Sequence, residues 1–284
     1  MILLTGATGV VGAHLLPLLS GRDDLRGLAR TDESARRLEG AGVEMVRGDA
    51  ADPSSLDPAF HGVERLFLLT PDSPIQHELE HNLLDAAQRA GVRRVVKISL
   101  HNVGLDTPFA AAHREIERRL ERSDFETTIL RPASFHQNLL GDLEALRAGS
   151  LHQLAGDQAV PHVDVADVAE VAAVALTTGD GIEGVYELTG PERLTWSGVA
   201  ERIAALTGRQ VAYVPMEPGE MRARLLAQGA TEYLADGLVD FYETLRMHGI
   251  NDPTPDVERA LGRPPRPTDD FVRDELGPRL EHQG

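Results

Sequence analysis

A glycine-rich turn at the start of the chain holds the residues whose spacing is best suited to bind a ligand. The apolar run Met1–Leu4 leads directly into Thr5-Gly6-Ala7-Thr8-Gly9-Val10-Val11-Gly12. Glycines in such a turn let backbone N–H groups approach an anion that side chains would obstruct. Gly6 would allow the tight turn, Gly9 the approach of a pyrophosphate, and Gly12 the packing of a helix against its strand. An ordinary turn would explain the same glycines, but a strand before them and an apolar helix after them favour a nucleotide site.

The spacing of these glycines is G-x-x-G-x-x-G, which differs from the commoner G-x-G-x-x-G fingerprint of dinucleotide-binding folds. Its position in a strand–turn–helix unit still indicates a cradle for the pyrophosphate of a dinucleotide. We predict that six residues of this turn contact the cofactor: Gly6, Thr8, Gly9, Val10, Val11 and Gly12.

Strands and helices alternate through the first half of the chain. Apolar runs predict strands at residues 1–4, 25–29, 43–46, 63–70, 95–99 and 127–131, and helices are predicted at 10–19, 32–39, 74–90 and 110–122. This alternation is typical of a parallel sheet covered by helices on both faces. We therefore predict a Rossmann-like, doubly wound α/β fold, whose ligands bind at the carboxyl ends of the strands.

The regular alternation loosens after Pro132. Helices are predicted at 164–177, 196–206 and from 217 to about 248, and strands at 185–188 and 211–214. The tail from Asn251 to Pro267 is rich in proline and arginine and is predicted to drape over the surface. The chain would then have a dinucleotide-binding core over residues 1–134, to which parts of 150–190 return. Most of residues 135–284 would form a smaller C-terminal substrate lobe.

Composition and charge narrow the classes of function. The 284 residues carry a net charge of −17 at pH 7, which disfavours binding to nucleic acid and to anionic membrane surfaces. Cysteine is absent, which excludes disulfides, thiolate catalysis and cysteine–zinc sites. No apolar run approaches the ~20 residues needed to span a bilayer, and nothing precedes the first strand. We therefore expect a cytoplasmic protein.

Residues after the second and third strands bear on the identity of the cofactor. An acid at the end of the second strand would accept hydrogen bonds from ribose hydroxyls, whereas an arginine would pair with a 2′-phosphate. Arg30 stands directly after this strand, with Arg36 and Arg37 one to two turns on, which favours NADP(H) over NAD(H). The alternative is a solvated basic helix start. Asp49, after the third strand, would either meet the adenine or cap a turn.

The ends of the later strands supply candidates near the nicotinamide. Thr70 and Pro71 would lie beside the pyrophosphate and the nicotinamide ribose, and Pro132 and Phe135 would orient the ring. These four residues complete the predicted cofactor contacts.

Two polar residues are candidates for chemistry. Ser99 ends the fifth strand, followed closely by His101 and Asn102, and is either a catalytic hydroxyl or a strand-end hydroxyl bonded to backbone. His113, on the helix after this strand, could supply a proton near neutral pH. The alternative for His113 is a polar residue with no chemical role.

The sequence His77-Glu78-Leu79-Glu80-His81 matches the zinc-protease pattern H-E-x-x-H. Its two histidines share a helix face, but that face lies opposite the apolar stripe of Ile75, Leu79, Leu83 and Ala87. With no third ligand evident nearby, we predict no metal site. A solvated face or a subunit contact is the better interpretation, and a subunit contact would make the protein a homodimer.

Together these segments resemble the NmrA-like group of atypical short-chain dehydrogenases/reductases. The similarity covers nearly the whole chain and rests on residues 5–12, Arg30, 48–49, 91–92, 95–99, His113, Glu117, 129–132, Phe135, Asn138, 163–169, 187–191 and 262–265. The group contains NADPH-dependent quinone, azo-dye and triphenylmethane-dye reductases and a non-catalytic NADP-sensing regulator. The resemblance implies that residues 6–12, Arg30, Thr70-Pro71 and 132–138 contact the cofactor.

The chain departs from the wider superfamily at the proton donor. Ordinary members use Tyr-x-x-x-Lys, but the only lysine here is Lys97, in the fifth strand, and no tyrosine has a lysine four residues on. The chemistry left open is hydride transfer to an acceptor that needs little acid help, such as a quinone, an electron-poor dye or an activated alkene. We expect an NADPH-dependent oxidoreductase with a small-molecule acceptor. The alternative is a non-catalytic NADP(H) sensor that acts through a protein partner.

Overall fold

The computed structural model describes residues 1–154, 156, 158–179, 182–248 and 252–281. Its strands are β1 Ile2–Leu4, β2 Leu25–Ala29, β3 Glu44–Arg47, β4 Arg65–Leu68, β5 Arg94–Ile98, β6 Glu126–Pro132, β7 Ser150–Leu154, β8 Gly184–Leu188 and β9 Ala212–Met216. Seven of them form a sheet in the order β3-β2-β1-β4-β5-β6-β8, in which every pairing is parallel. The predicted Rossmann-like α/β fold is confirmed.

Thirteen α-helices are described. They are α1 Val10–Leu19, α2 Asp32–Gly40, α3 Asp57–Phe60, α4 Gln76–Ala90, α5 Pro108–Glu121, α6 Leu143–Arg147, α7 Val165–Thr177, α8 Trp196–Thr207, α9 Pro218–Ala227, α10 Glu232–His248, α11 Asp256–Leu261, α12 Thr268–Phe271 and α13 Gly277–Glu281. Within the described part of the chain, no helix is long and apolar enough to cross a membrane.

The alternation of side chains along each strand builds two hydrophobic layers, one on each face of the sheet. Leu4 and Val96 pack with apolar residues of α1 and α7 on one face. Leu3 and Val95, one position earlier in the same strands, pack with apolar residues of α4 and α5 on the other. This double burial explains why the strands read as continuous apolar runs, and it fixes the carboxyl ends of β1, β4, β5 and β6 along one edge of the sheet.

The second half of the chain contributes both to this sheet and to a smaller unit. β8 extends the sheet beyond β6, and α7 packs against it, whereas β7 and β9 pair in a separate parallel sheet. The apolar side chains around that second sheet come from α6, α8 and the segment 271–280.

One prediction for this half is wrong in detail. The continuous helix expected from residue 217 to 248 is broken between α9 and α10, at a turn where Gly229 has φ +90°. The tail, which was predicted to drape over the surface, contains α11. It is also held down, because Arg263 and Arg266 form ion pairs with Asp167 and Glu170 of α7. Asn251, where the predicted tail begins, lies outside the described residues. Sequence periodicity also missed β7.

Candidate functional site

The glycine turn forms a cradle at the carboxyl end of β1. Gly6 has φ +62°, and a Cβ there would lie 2.7 Å from the carbonyl oxygen of Leu69, so both the backbone angle and the space require glycine. A Cβ on Gly12 would overlap the backbone of Ala7, so this glycine lets α1 begin directly behind the turn. Gly9 is the N-cap of α1 and offers no side-chain cap. The first N–H groups of α1 are therefore available to an anion.

A cleft of about 580 Å³ runs from this cradle along the carboxyl ends of the central strands. Ten of the residues that we predicted for the site line it: Gly6, Thr8, Gly9, Val10, Val11, Thr70, Pro71, Ser99, Pro132 and Phe135. His113 lines it as well. One cleft thus brings together residues from four strand ends and from α5.

Three of the predicted residues lie outside this lining. Gly12 is buried beneath the cradle, where it permits close packing of α1 rather than contact with the cleft. Arg30 is exposed at the end of β2, and among the described residues it makes no side-chain hydrogen bond or ion pair. Asp49 caps a turn, because its Oδ1 accepts a hydrogen bond of 2.9 Å from the backbone N–H of Ala51.

A second wall of the cleft, the lobe wall, was missed by sequence reasoning. It comes from Val160, Pro161 and the α10 residues Leu238, Phe241, Tyr242 and Leu245. Phe241 and Tyr242 meet edge to face, with ring centroids 5.9 Å apart, and the Tyr242 hydroxyl lies 3.2 Å from Ser134 Oγ. The available signal was the apolar spacing along α10, but that spacing is equally typical of a core helix.

A buried ion pair supports the Thr70-Pro71 turn. Lys97 Nζ lies 2.8 Å from Glu80 Oε1, both side chains are fully buried, and the Thr70 hydroxyl donates to the same oxygen over 2.8 Å. The only lysine of the chain is therefore held in β5, beneath the cleft. Glu80 was also missed, because the H-E-x-x-H pattern drew attention to the histidines on either side of it.

The face of α4 differs from its prediction. Ile75 is exposed, and the buried side of the helix includes Gln76, Glu80 and Leu83. His81, from the H-E-x-x-H pattern, lies 3.0 Å from Glu115 of α5. No cluster of three or more metal-ligating side chains occurs among the residues that the structure describes.

His113 is buried in the cleft wall and only 6% exposed. Its Nε2 lies 3.9 Å from Asp72 Oδ1, and its Nδ1 has no hydrogen-bond partner in the described part of the chain. Burial, and after it the charge of Lys97, hold the pKa of His113 well below its usual range. The imidazole is therefore neutral at neutral pH and carries a single N–H.

The Ser99 hydroxyl is bonded to a carboxylate. The alternative that we considered for Ser99, a strand-end hydroxyl bonded to backbone, is therefore wrong about the bonding partner. The hydroxyl donates to Glu117 Oε1 over 2.5 Å. Glu117 also accepts two hydrogen bonds from Arg131, at 2.9 and 2.5 Å. The Ser99 hydroxyl proton is thus already committed to an acceptor on α5.

The glycine cradle fits the pyrophosphate of a dinucleotide on geometric grounds. It leaves no room for a Cβ at two of its three glycines, and it presents the uncapped start of α1 to the cleft. The sheet order, with its crossover between β1 and β4, places this cradle where such folds bind nucleotides. Fold and site together define a Rossmann-type nucleotide-binding protein.

Comparison with known proteins narrows this class. The profile of the NAD(P)H-binding family matches residues 6–178. The NAD(P)H azoreductase of Xenophilus azovorans is 31% identical over 96% of this chain and 97% of its own. A structure of an NADPH-dependent quinone oxidoreductase from Escherichia coli complexed with NADPH is 28% identical, with a TM-score of 0.84 over 96% of this chain and 98% of that one. The triphenylmethane reductase of Citrobacter sp. complexed with NADP(H) is 25% identical, with a TM-score of 0.83 over 96% of this chain and 99% of that one.

The chain belongs to the NAD(P)H-binding family and is an NAD(P)H-dependent oxidoreductase.

Proposed function

We propose that the protein is an NADPH-dependent reductase of a conjugated acceptor, such as a quinone or an aromatic dye. The observation that carries this proposal is the continuity of the cleft. Its lining includes both the glycine cradle and a wall of aromatic and aliphatic side chains from α10. A planar, apolar acceptor would bury against this wall while lying next to the cofactor.

Bound NADPH supplies the hydride, and the residues of the chain hold and shield the reacting groups. The turn at 6–11 would hold the pyrophosphate through backbone N–H groups, and Thr70-Pro71 would meet the nicotinamide ribose. Pro132 and Phe135 would flank the nicotinamide ring. Ser99 and His113, which line the same stretch, would meet the acceptor or the ring.

Preference for NADP(H) over NAD(H) would come from Arg30. The residue follows β2, beside the strand that carries the cradle, and its exposed guanidinium is available to a 2′-phosphate. We also propose that the core over residues 1–134 binds the cofactor and that the lobe from 135 onward selects the acceptor. A cytoplasmic location and a homodimer stay predictions.

The proposal is supported by the named activities of relatives, which include an azoreductase and an NADPH-dependent quinone oxidoreductase. The lack of a Tyr-x-x-x-Lys dyad agrees with acceptors that need little acid help.

The experiment is to follow NADPH oxidation optically with a panel of quinones, azo dyes and cationic triphenylmethane dyes. Binding of NADPH, NADP⁺ and NADH would be titrated in parallel. We expect turnover with at least one class of acceptor and tighter binding of NADPH than of NADH. Tight NADP(H) binding without turnover on any acceptor would favour the sensor instead.

A further inference from the structure

His101 is held by a carboxylate at the edge of the cleft. The residue is 3% exposed and lines the cleft, and its backbone N–H donates to Pro132 over 3.0 Å. Its Nδ1 lies 2.6 Å from Glu187 Oε2. The next residue, Asn102, adopts a left-handed backbone conformation with φ 59°, which turns the chain sharply after the imidazole.

The other ring nitrogen of His101, Nε2, is buried and, among the residues that the structure describes, accepts and donates no hydrogen bond. Since a buried polar atom without a partner costs free energy, such an atom in a ligand cleft points to a group that is satisfied when the ligand binds. The engaged Nδ1 leaves Nε2 as the nitrogen that can meet a bound acceptor.

Glu187 is an ionised partner for this imidazole. Burial alone would raise the pKa of Glu187, but hydrogen bonds from His101 and Arg131 outweigh it and hold the pKa below its usual range. Arg131 Nη1 lies 2.8 Å from Glu187 Oε1. Arg131 in turn binds Glu117, which accepts from Ser99, so Glu187 is fixed by a network that reaches back to β5.

A second carboxylate–arginine network in the protein serves as a comparison. In it, Asp167 and Glu170 of α7 form ion pairs with Arg263 and Arg266. Glu170 and Glu187 are both 28% exposed, and each accepts bonds from two cationic or ring donors. Only the Glu187 network ends at an unpartnered ring nitrogen in the cleft.

We propose that His101, held by Glu187, is the catalytic acid that delivers the proton when an acceptor such as a quinone is reduced. The proposal rests on the proposed function. A quinone gains a hydride, which the cofactor supplies, and a proton at an oxygen, and the product is the hydroquinone. The Nε2–H bond of the imidazolium breaks, an O–H bond forms, and neutral His101 takes a new proton from solvent.

His113 is the other imidazole of the cleft and the residue that the sequence singled out. In the part of the chain that the structure describes, no carboxylate lies within hydrogen-bond distance of it, since Asp72 Oδ1 is 3.9 Å away, and it sits close to the buried Lys97 charge. The neutral imidazole of His113 is therefore better suited to orient the acceptor than to deliver a proton to it. Two charged side chains belong to the network that holds the proposed acid, Glu187 and Arg131. Three further titratable side chains line the same cleft, namely Asp72, His113 and Tyr242.

The test compares two acceptors that differ in their need for a proton. A quinone needs one, whereas a cationic triphenylmethane dye becomes its neutral leuco form by accepting hydride alone. We expect His101→Asn to lower kcat with the quinone by about 100-fold and to lower the ratio of quinone to dye turnover by a similar factor. Glu187→Gln should lower the same ratio by about 10-fold, and the matched Glu170→Gln should leave it unchanged.

A proton NMR spectrum gives a readout that does not depend on turnover. The short His101–Glu187 contact should produce a strongly downfield imidazole N–H resonance, which disappears in His101→Asn and Glu187→Gln and persists in Glu170→Gln and His113→Ala. An equal loss of turnover with quinone and dye, or no loss with either, would overturn the acid role while leaving the reductase in place. Absence of turnover by the unaltered protein with every acceptor would instead overturn the proposed function, and the acid role with it.

Discussion

The two walls of the cleft are built in different ways. The cradle wall comes from a single short segment, residues 6–11, in which glycine at position 6 leaves the backbone open to a ligand. The lobe wall is made of side chains from residues 160–161 and from α10, far apart along the chain. A cofactor shared by a whole family can be recognised by backbone alone, whereas an acceptor that differs between relatives is met by exchangeable side chains.

The walls also differ in how they would respond to substitution. At the cradle an added Cβ meets backbone, at Leu69 for Gly6 and at Ala7 for Gly12. On the lobe side, a Cβ added at Gly237 of α10 would meet the ring of Phe109, which is a side chain. We therefore expect cradle substitutions to change nucleotide affinity and lobe substitutions to change acceptor selection, and the following predictions test that separation.

The largest effect is expected at Gly12. Gly12→Ala should displace α1 from the turn, with a loss of about 3 kcal/mol in the free energy of unfolding and of about 100-fold in NADPH affinity. Gly40→Ala is the matched control, because Gly40 also lies in a helix and a Cβ there has nothing within 4 Å. Denaturant unfolding and fluorescence titration of NADPH measure both quantities. NADPH affinity equal to that of the control would show that the cradle tolerates side chains after all.

Acid should weaken the lobe side first. His136 and His162 are buried beside Trp196 and Phe271, and burial lowers their pKa values from 6.5 to about 4 and about 3. The unfolded chain then binds more protons than the folded chain between these values and 6.5, so stability falls as the pH drops through that window. Denaturant melts from pH 7 to pH 4 should show a loss on the order of 3 kcal/mol from each of the two imidazoles.

His162→Gln should reduce that pH dependence, because one of the two buried imidazoles is removed. His61→Gln, at an exposed loop position, is the control and should keep the slope of the unaltered protein. An unchanged slope in His162→Gln would mean that other groups account for the acid sensitivity.

Arg30 tests the proposed cofactor preference. Arg30→Ala should weaken NADPH binding about 10-fold, because one charge-assisted contact to the 2′-phosphate is lost at an exposed site. NADH, which lacks that phosphate, is the internal control and should bind as before. Parallel titrations of both cofactors measure the ratio. An equal change for both would assign Arg30 a role other than phosphate recognition.

Parts of the site that come from one short segment could be predicted from sequence, and parts assembled from distant segments could not. The cradle was predicted from sequence because its glycines lie close together in the chain, and at Gly6 and Gly12 a Cβ would meet nearby backbone. The network of Glu117, Arg131, Glu187 and His101 was not, since its members come from α5, β6, β8 and the loop after β5, and only the assembled sheet brings them together. Glu187 was seen as part of a family-like segment but not as the partner of an imidazole.

The fold shows a similar limit. Strand and helix periodicity predicted the central sheet, but the same apolar spacing could not tell that α10 faces a cleft rather than a core. The break after α9 depends on Gly229, whose positive φ is a property of the folded turn. The sequence could not show what anchors the tail, because the acidic partners of Arg263 and Arg266 lie about a hundred residues earlier, in α7.

The smallest effect is expected at the lobe wall. Phe241→Ala removes an aromatic ring from the acceptor side of the cleft, and we expect KM for a quinone or dye to rise about 5-fold with NADPH affinity unchanged. Met247→Ala is the matched control, because Met247 lies on the same helix, is 68% exposed and does not line the cleft. Steady-state kinetics with acceptor varied at saturating NADPH measure KM. A fall in NADPH affinity comparable to the rise in KM would mean that the ring of Phe241 serves both ligands, and the two walls would then act as one site.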